Sequence, residues 1–516
     1  MTTGYDDPRR WRALAALGLA VLTLGFDITI MNVALPTIAT ELEVGTDGLQ
    51  WMVNAYVLVI AGLMLTCGAL GDRYGRKRLL LIGLGIFGIS SAIAAGVDST
   101  ALLIGARAVM GVGAAIVMPV AFAVLATLFG PAERGKAVSL LVMGLGIGIP
   151  LGPIIGGYLL EHFWWGSIFL INVPITIVGA VAIAVLLPES RDPKPRRPDV
   201  LGAVLSTGGL AGLVYGVITA PVRGWSDPVT IGSIIAGVVV LTGFVACELQ
   251  VRNPMIDLHL FTRPQFLWAS LAGVLVTFGM LGLLFVVPQY LQLVAGHDAL
   301  DTGIRLLPLI GGLVVGAPAG ERLAARAGYR VPVSTGLAAL AASTAIGATT
   351  DLQSSYGFIA AWLTFAGLGI GMSLAPAMDA VLDAVPSEQS GSGTALTMTL
   401  RQTGGALGVA LLGSLLAEGY SGRVNTAGLP AEAAVAARES IAGALGAATR
   451  LAQPSLAASA NSAYLYGMSL VLIATAITSA LSALLTALLL PGRPAAGGED
   501  PRRSPEATTV TDDPDH

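Results

Sequence analysis

Stretches of about twenty apolar residues, each closed by a short charged interruption, follow one another along almost the whole chain. A helix needs roughly 20 such residues to cross the hydrocarbon core of a bilayer. The runs fall at approximately 13–35, 50–70, 79–97, 101–128, 136–160, 167–187 and 200–221, then at 229–249, 267–293, 302–323, 331–350, 356–384, 391–417 and 461–491. Fourteen transmembrane helices are expected, in an all-α membrane protein whose termini, the count being even, share one side. Composition agrees: 54% of residues are hydrophobic and 12% charged, against roughly 25% charged in soluble domains. No aqueous fold hides that much apolar surface.

The distribution of bases orients the bundle. Lys and Arg near span ends are retained on the cytoplasmic side. Of the 28 Lys and Arg, 21 fall in the segments this layout places inside, only Arg223, Arg423, Arg438 and Arg450 in those placed outside, and Arg107, Arg305 and Arg401 within spans. Both termini are therefore expected in the cytoplasm. Arg9, Arg10 and Arg12 precede a first run of about 23 apolar residues, too long for a signal-peptide core and without a small-residue cleavage motif, so it reads as a retained span. A net charge of −4 gives no reason to expect a nucleic-acid partner. Cys67 and Cys247 both lie in apolar runs and read as packing thiols, with no disulfide or metal framework.

The layout has parts. A cytoplasmic N-terminus (1–12) leads into six helices (13–187). A basic, proline-rich cytoplasmic linker (188–199) leads to a two-helix insert (200–249), and a second six-helix half occupies 267–491. Within it, 418–460 is the longest outer loop, with a surface helix expected near 430–452, and the polar 492–516 reads as a disordered cytoplasmic tail. The two halves echo each other. Arg73 and Gly75 after the second run recur as Arg326 and Gly328 after the tenth, and Pro131, Glu133 and Gly135 before the fifth resemble Pro386, Glu388 and Gly391 before the thirteenth. Such repeats are how transporters build a midplane site that can face either side.

A few residues carry the chemistry. Asp27 is the only acid of the first span, about 12 Å from its outer end at 1.5 Å per residue. An ionised Asp at that depth costs about 2.5 to 3.5 kcal/mol, so such residues line water cavities, pair with a base or bind protons. Arg107 of the fourth span lies at a matching depth. A neighbouring Arg favours an ionised carboxylate and separation favours the neutral acid, so a conformational change coupled to this pair can load and release a proton. A static structural pair is the competing reading. Next, Gly71, Asp72, Arg73, Gly75, Arg76, Lys77 and Arg78 set one acid among four bases on a tight turn. Asp72 there is expected to cap a neighbouring helix or pair with Arg134 and so gate one state. The fifth span carries Gly144, Gly148, Pro150, Gly152, Pro153, Gly156 and Gly157, spaced for close helix approach, with prolines expected to bend it into a hinge. Asp379 and Arg401 are secondary candidates for an ion pair. Trp51, Asn54 and Tyr56 open the second span, where Trp and Tyr read first as interfacial anchors.

Taken together, GALGDRYGRKR, the Arg107 span, LGPIIGG, DITIMNVALP, FLINVPITI, LPES and RQTGGALGVALLGS resemble the major facilitator superfamily, specifically its fourteen-span drug:proton antiporter-2 branch. The resemblance implies two six-helix halves plus a two-helix insert and proton-driven efflux of drugs or antibiotics from a bacterial plasma membrane. Asp27 would be proton carrier, Arg107 its assistant, and Gly148 to Gly157 the antiporter motif. It implies no cofactor beyond the proton gradient, no metal, and a monomer whose partners are a small-molecule substrate, protons and the bilayer. Members that export dications add acids in the tenth and thirteenth spans; here there are only Glu321 near the end of the tenth and Thr397 where an acid would stand, so neutral or monocationic compounds fit better. A dedicated exporter or facilitator of one endogenous metabolite or lipid-like compound is the alternative. An enzyme is not expected, since there is no HExxH and no nucleophile with a paired His; ATP-driven transport would need a P-loop, which is absent.

Overall fold

The computed structural model describes residues 9–192, 199–250, 258–385 and 390–492, which form a bundle of long helices. The chain enters through α1 (Arg9–Glu41), α2 (Thr46–Tyr74), α3 (Arg76–Ala95), α4 (Thr100–Leu128) and α5 (Pro131–His162). The next run is broken. α6 (Ser167–Leu170) gives way to α7 (Asn172–Leu186) at Ile171, because Pro174 has no N–H for the Leu170 carbonyl and its ring crowds that turn. α8 (Val200–Arg223) and α9 (Pro228–Gln250) pair as a hairpin, and α10 (Pro264–Gln289) closes in a π-turn, Tyr290–Val294. α11 (Ala299–Arg305) and α12 (Leu307–Ala327) are divided at Leu306 by the same effect, here from Pro308. α13 (Arg330–Gly347), α14 (Tyr356–Ala384), α15 (Ser390–Ser421), α16 (Ala431–Glu439), α17 (Ile441–Arg450) and α18 (Pro454–Leu489) complete the chain.

Among the described residues, eleven helices are long and apolar enough to cross a membrane: α1 to α4, α6 with α7, α8, α9, α10 with its π-turn, α11 with α12, α14 and α18. α5, α13 and α15, the remaining long helices, lie against α1, α14 and α10 respectively. The surface helix expected near 430–452 is two helices, α16 and α17. Ser440 between them is extended (φ −159°, ψ 156°), and its hydroxyl accepts from the Gly443 N–H to start the second. Residues 1–8, 193–198 and 493–516, which carry most of the expected termini and linker, lie outside the described residues, as does Pro386–Glu388 of the second repeat echo.

One pairing pattern appears twice. In the first group α1 packs on α5 and α7, α4 on α2 and α3, and α3 on α7; in the second α10 packs on α15 and α18, α14 on α12 and α13, and α13 on α18. Gly75 and Gly328, the repeated turn glycines, both have positive φ (+118° and +78°), a conformation that only glycine adopts without strain. α8 lies along α2, with Thr66 Oγ1 donating to the Asp199 carbonyl 3.2 Å away.

The hydrogen bonds that join the two groups gather at the end of the bundle opposite the α2–α3 turn. Gln50 Nε2 of α2 donates to the carbonyls of Val409 and Ala410 on α15 (3.0 and 2.9 Å), and Gln292 Nε2 donates to the Val33 carbonyl of α1 (2.8 Å). Thr46 Oγ1 donates to the Glu439 carbonyl (3.2 Å). That end is closed.

Candidate functional site

α1, α2, α3, α4 and α7 bring their few polar side chains to one point. Asp27 and Arg107 are fully buried, at 0% and 1% exposure, and Arg107 Nη1 lies 2.6 Å from Asp27 Oδ2. The guanidinium has further partners: Nε donates to the Met52 carbonyl at 3.1 Å, and its carbon sits 4.3 Å from the centre of the Tyr56 ring, within cation–π range. Asp27 Oδ1 accepts from Asn172 Nδ2 at 3.3 Å; the same nitrogen reaches Ser91 Oγ at 3.1 Å, and Ser91 donates to the Phe169 carbonyl at 2.9 Å. Both carboxylate oxygens thus face donors. A buried ion pair is tolerable when its remaining valences are met in this way. Asn172 is the first residue of α7, so the Pro174 break sets its position.

Tyr56 is not an interfacial anchor. It is buried beneath Arg107, because the turn of α2 that offers the Met52 carbonyl also turns residue 56 toward α4. Trp51 instead meets Tyr215 of α8, ring centres 6.1 Å apart. Asn54 is fully buried, and neither its amide oxygen nor its nitrogen has a hydrogen-bond partner among the described residues.

α5 reaches this site through its glycines. A Cβ at Gly148 would stand 2.6 Å from the Leu22 carbonyl oxygen and 2.8 Å from the Phe26 nitrogen; one at Gly152 would strike Thr29 Oγ1, and one at Gly156 would sit 2.5 Å from Ile30 Cγ1. Backbone therefore meets backbone on both sides of Asp27. Gly157 faces the other way, where its Cβ would stand 2.6 Å from the Ala299 carbonyl of α11, and a Cβ at Gly303 would strike the Pro153 carbonyl. Despite Pro150 and Pro153, α5 is continuous from Pro131 to His162.

At the α2–α3 turn, Asp72 Oδ1 accepts from Arg76 Nε and Nη2 at 2.9 and 2.7 Å. The cap of α3 is not Asp72 but Glu189, whose carboxylate accepts from the backbone N–H groups of Lys77 and Arg78 (3.2 and 3.3 Å) and suits the positive end of the helix. The chain around Glu189 is laced to the turn: the Arg76 N–H donates to the Ser190 carbonyl and the Asp192 N–H to the Asp72 carbonyl, both at 3.0 Å. Gly71 packs on α4, where a Cβ would lie 2.7 Å from Val120 Cγ2, and a Cβ at Gly75 would lie 2.7 Å from Glu189 Oε1. The Arg73 guanidinium lies 5.6 Å from the Tyr74 ring. The side chain of Arg134 is outside the described residues.

Asp379 and Arg401 are not paired. Arg401 lies against α10, its Nε donating to Thr277 Oγ1 at 3.3 Å, whereas Asp379 is exposed near the end of α14 in the company of Glu321 and Asp383. Packing separates them: α15 presents Arg401 to α10, while α14 turns Asp379 toward α12. Asn172 and Glu189 stand within FLINVPITI and LPES, two of the stretches that carry the family resemblance, but neither has a role assigned on sequence alone; an Asn within an apolar run is the signal for the first, and Ser91 has none.

The sequence model of the Major Facilitator Superfamily matches residues 17–409. The Multidrug efflux pump LfrA of Mycolicibacterium smegmatis is 36% identical over 455 residues, 87% of this chain and 90% of its own. The Tetracenomycin C resistance and export protein of Streptomyces glaucescens is 34% identical over 410 residues, 79% of this chain and 76% of its own. Among solved structures, a bacterial homologue of the human lysosomal transporter Spinster, in an inward-facing and unoccupied conformation, superposes with a TM-score of 0.67 at 17% identity, covering 94% of this chain and 98% of that one. With a match running from α1 into α15, relatives of that coverage and a shared transporter fold, this multi-pass membrane protein belongs to the major facilitator superfamily and is a transporter, not an enzyme.

Proposed function

We propose that the protein is a proton-coupled antiporter that exports drugs, antibiotics or similar amphiphilic compounds across a bacterial plasma membrane. The observation that carries this reading is the buried Asp27–Arg107 pair with Asn172 and Ser91 around it. An intramembrane carboxylate paired to a base on a different helix is a group whose proton affinity changes when the helices move. The names of the relatives, a multidrug efflux pump and an antibiotic resistance and export protein, support the direction and the kind of cargo.

The same reading gives fourteen spans, with α5, α13 and α15 added to the eleven, arranged as six, two and six with both termini cytoplasmic. The repeated pairing pattern supports the two sixes, and α8 packed on α9 supports the insert. With the α2–α3 turn inside, the end that Gln50, Gln292 and Thr46 fasten faces outward, on the side away from the one where an exporter collects its cargo. The α5 glycines let α1 and α5 slide as one unit when the halves rock, and the Asp72–Arg76 turn latches the inner face.

The experiment is ethidium accumulation in cells expressing wild type or Asp27→Asn, with and without a protonophore. Wild type is expected to lower accumulation, and either the protonophore or Asp27→Asn to abolish that effect. Equal export by both proteins, indifferent to the protonophore, would sink the coupling mechanism.

A further inference from the structure

Between the π-turn that ends α10 and the segment that joins α13 to α14 lies a cavity of about 250 Å3, whose wall contains two bases, Arg305 and His297, together with Tyr290, Tyr356, Ser354 and Leu352. From the same π-turn Gln292 reaches the Val33 carbonyl, so the cavity stands at the fastened end of the bundle. The local fold explains how the bases meet. After the π-turn the chain doubles back: Gly296 has a φ of +74°, and the N–H groups of Ala295 and His297 donate to the carbonyls of Tyr290 and Leu291, both at 3.0 Å. Glycine makes that reversal without strain, and it brings His297 to the start of α11, which ends in Arg305.

One acid holds both bases. Asp301 Oδ2 accepts from Arg305 Nε at 2.8 Å and lies 2.8 Å from His297 Nδ1, while the guanidinium carbon sits 4.4 Å from the centre of the Tyr356 ring. That occupies one nitrogen of each base. Among the described residues, neither Nη of Arg305 nor Nε2 of His297 has a hydrogen-bond partner. The neighbouring acids are taken up by the protein's own donors: Asp298 Oδ1 accepts from the Asp301 N–H at 2.7 Å, and Asp351 Oδ1 from the Gln353 N–H at 2.9 Å and the Ser354 hydroxyl at 2.8 Å. The charged groups of the cavity wall are the two bases.

Size and position narrow the ligand. A drug-sized molecule fills roughly 300–1,000 Å3, more than this cavity holds, whereas a single oxyanion group fits. Leu352 and Tyr356 in its wall are 58% and 38% exposed, and Ile304, next to Arg305 in the chain, is 47% exposed. Exposed apolar and aromatic side chains beside a basic pocket at one end of a membrane bundle mark the level where hydrocarbon gives way to headgroups.

We propose that Arg305 and His297 form a binding site for an anionic phosphate group, carried by a lipid headgroup of the leaflet at this end or by free phosphate. The guanidinium, fixed at Nε and backed by Tyr356, offers its Nη edge to two oxygens. The imidazole, fixed at Nδ1, offers Nε2 as a donor once protonated. The inference takes from the export reading only which leaflet meets this end.

The test counts lipids retained by the purified full-length protein, by native mass spectrometry at pH 6, on titration with phosphatidylglycerol or with dioleoylglycerol, which lacks the phosphate. Wild type is compared with Arg305→Gln, Arg305→Lys, His297→Gln and a control, Arg450→Gln, whose side chain is 62% exposed beside Glu43. Wild type is expected to hold one more phosphatidylglycerol than Arg305→Gln, in which that lipid binds about tenfold or more weakly, the factor a charged hydrogen bond carries. His297→Gln should lose a smaller factor, Arg305→Lys should recover part of the loss, and Arg450→Gln and all dioleoylglycerol binding should be unchanged. Inorganic phosphate, added without lipid and read by thermal unfolding, separates the sources. Stabilisation of wild type but not of Arg305→Gln, without a difference in phosphatidylglycerol, identifies the free anion; the converse identifies the lipid. The unfolding scans also show which variants are folded, and His297→Gln carries the test should Arg305→Gln not fold. Folded variants equal to wild type with both phosphate probes overturn the site, and so does a loss of dioleoylglycerol as large as that of phosphatidylglycerol. Neither measurement involves transport, so a failed site leaves the export reading standing and a failed export assay leaves the site.

Discussion

At the scale of single residues, Asp27 and Arg107 were legible because a charge in an apolar run is rare and costly, and their depths agreed. Their surroundings were not. Ser91 and Tyr56 are ordinary residues for a membrane helix, and only the crossing of α2, α3 and α4 turns them toward the pair. The geometry predicts an asymmetry of substitution. Arg107→Met strands a buried carboxylate and should cost about 3–5 kcal/mol of stability, whereas Asp27→Asn with Arg107→Met removes both charges and should recover a large part of it. Thermal unfolding of the single and double variants in the same detergent reads this directly. Equal destabilisation by both would mean that the two side chains do not act as a pair. Asp379 is the opposite case: an acid in an apolar run of the sequence, it emerges near the end of α14 beside Glu321 and Asp383.

At the scale of elements, helix positions followed from hydropathy, while helix interruptions did not follow from counting prolines. α5 carries Pro150 and Pro153 and is continuous, yet α6 and α7 separate near Pro174, and α11 and α12 near Pro308. The difference lies in what neighbours supply: α5 is pressed along α1 by its glycines, which hold it in line. The glycine spacing announced a close approach without naming the partner. Gly148→Val should force α1 and α5 apart, because the atoms in its way, the Leu22 carbonyl and the Phe26 nitrogen, are backbone and cannot rotate aside. We expect a loss of about 1–3 kcal/mol together with loss of export. Gly85→Ala on α3, where nothing lies within 4 Å, is the matched control and should be neutral or stabilising by up to about 1 kcal/mol. Unfolding midpoints and ethidium export of the two variants check both statements; a fully active and stable Gly148→Val would contradict the packing argument. The α2–α3 turn was legible as a motif, but its closure by Glu189, more than a hundred residues later in the chain, was not.

At the scale of the whole molecule, the repeat was visible in the sequence only as two short echoes, because helix faces that pack on one another need share shape and not sequence. The doubled pairing of helices is far plainer than either echo. Closure at one end gives a prediction of its own. A Cβ at Gly413 would stand 3.0 Å from Gln50 Cγ, a separation that admits a disulfide after Gln50→Cys and Gly413→Cys. In a background with Cys67 and Cys247 replaced by Ala, oxidation should lock that end and stop export, and reduction should restore it; undiminished export by the oxidised, cross-linked protein would show that the end need not open. The α8–α9 hairpin bears on the same movement. α8 is fastened to α2 along its length, but it reaches α15 through Ser414, which donates to the Val217 carbonyl at 2.8 Å, and the loop beyond α8 reaches it through Trp225, which donates to Glu418 at 2.9 Å, both at the closed end. Whatever opens that end must undo these two fastenings. At about 0.5–1.5 kcal/mol for a typical hydrogen bond, and less for the exposed tryptophan, the α8–α9 hairpin acts as a hasp: it weights the closed position several-fold against any movement that parts α2 from α15 at that end.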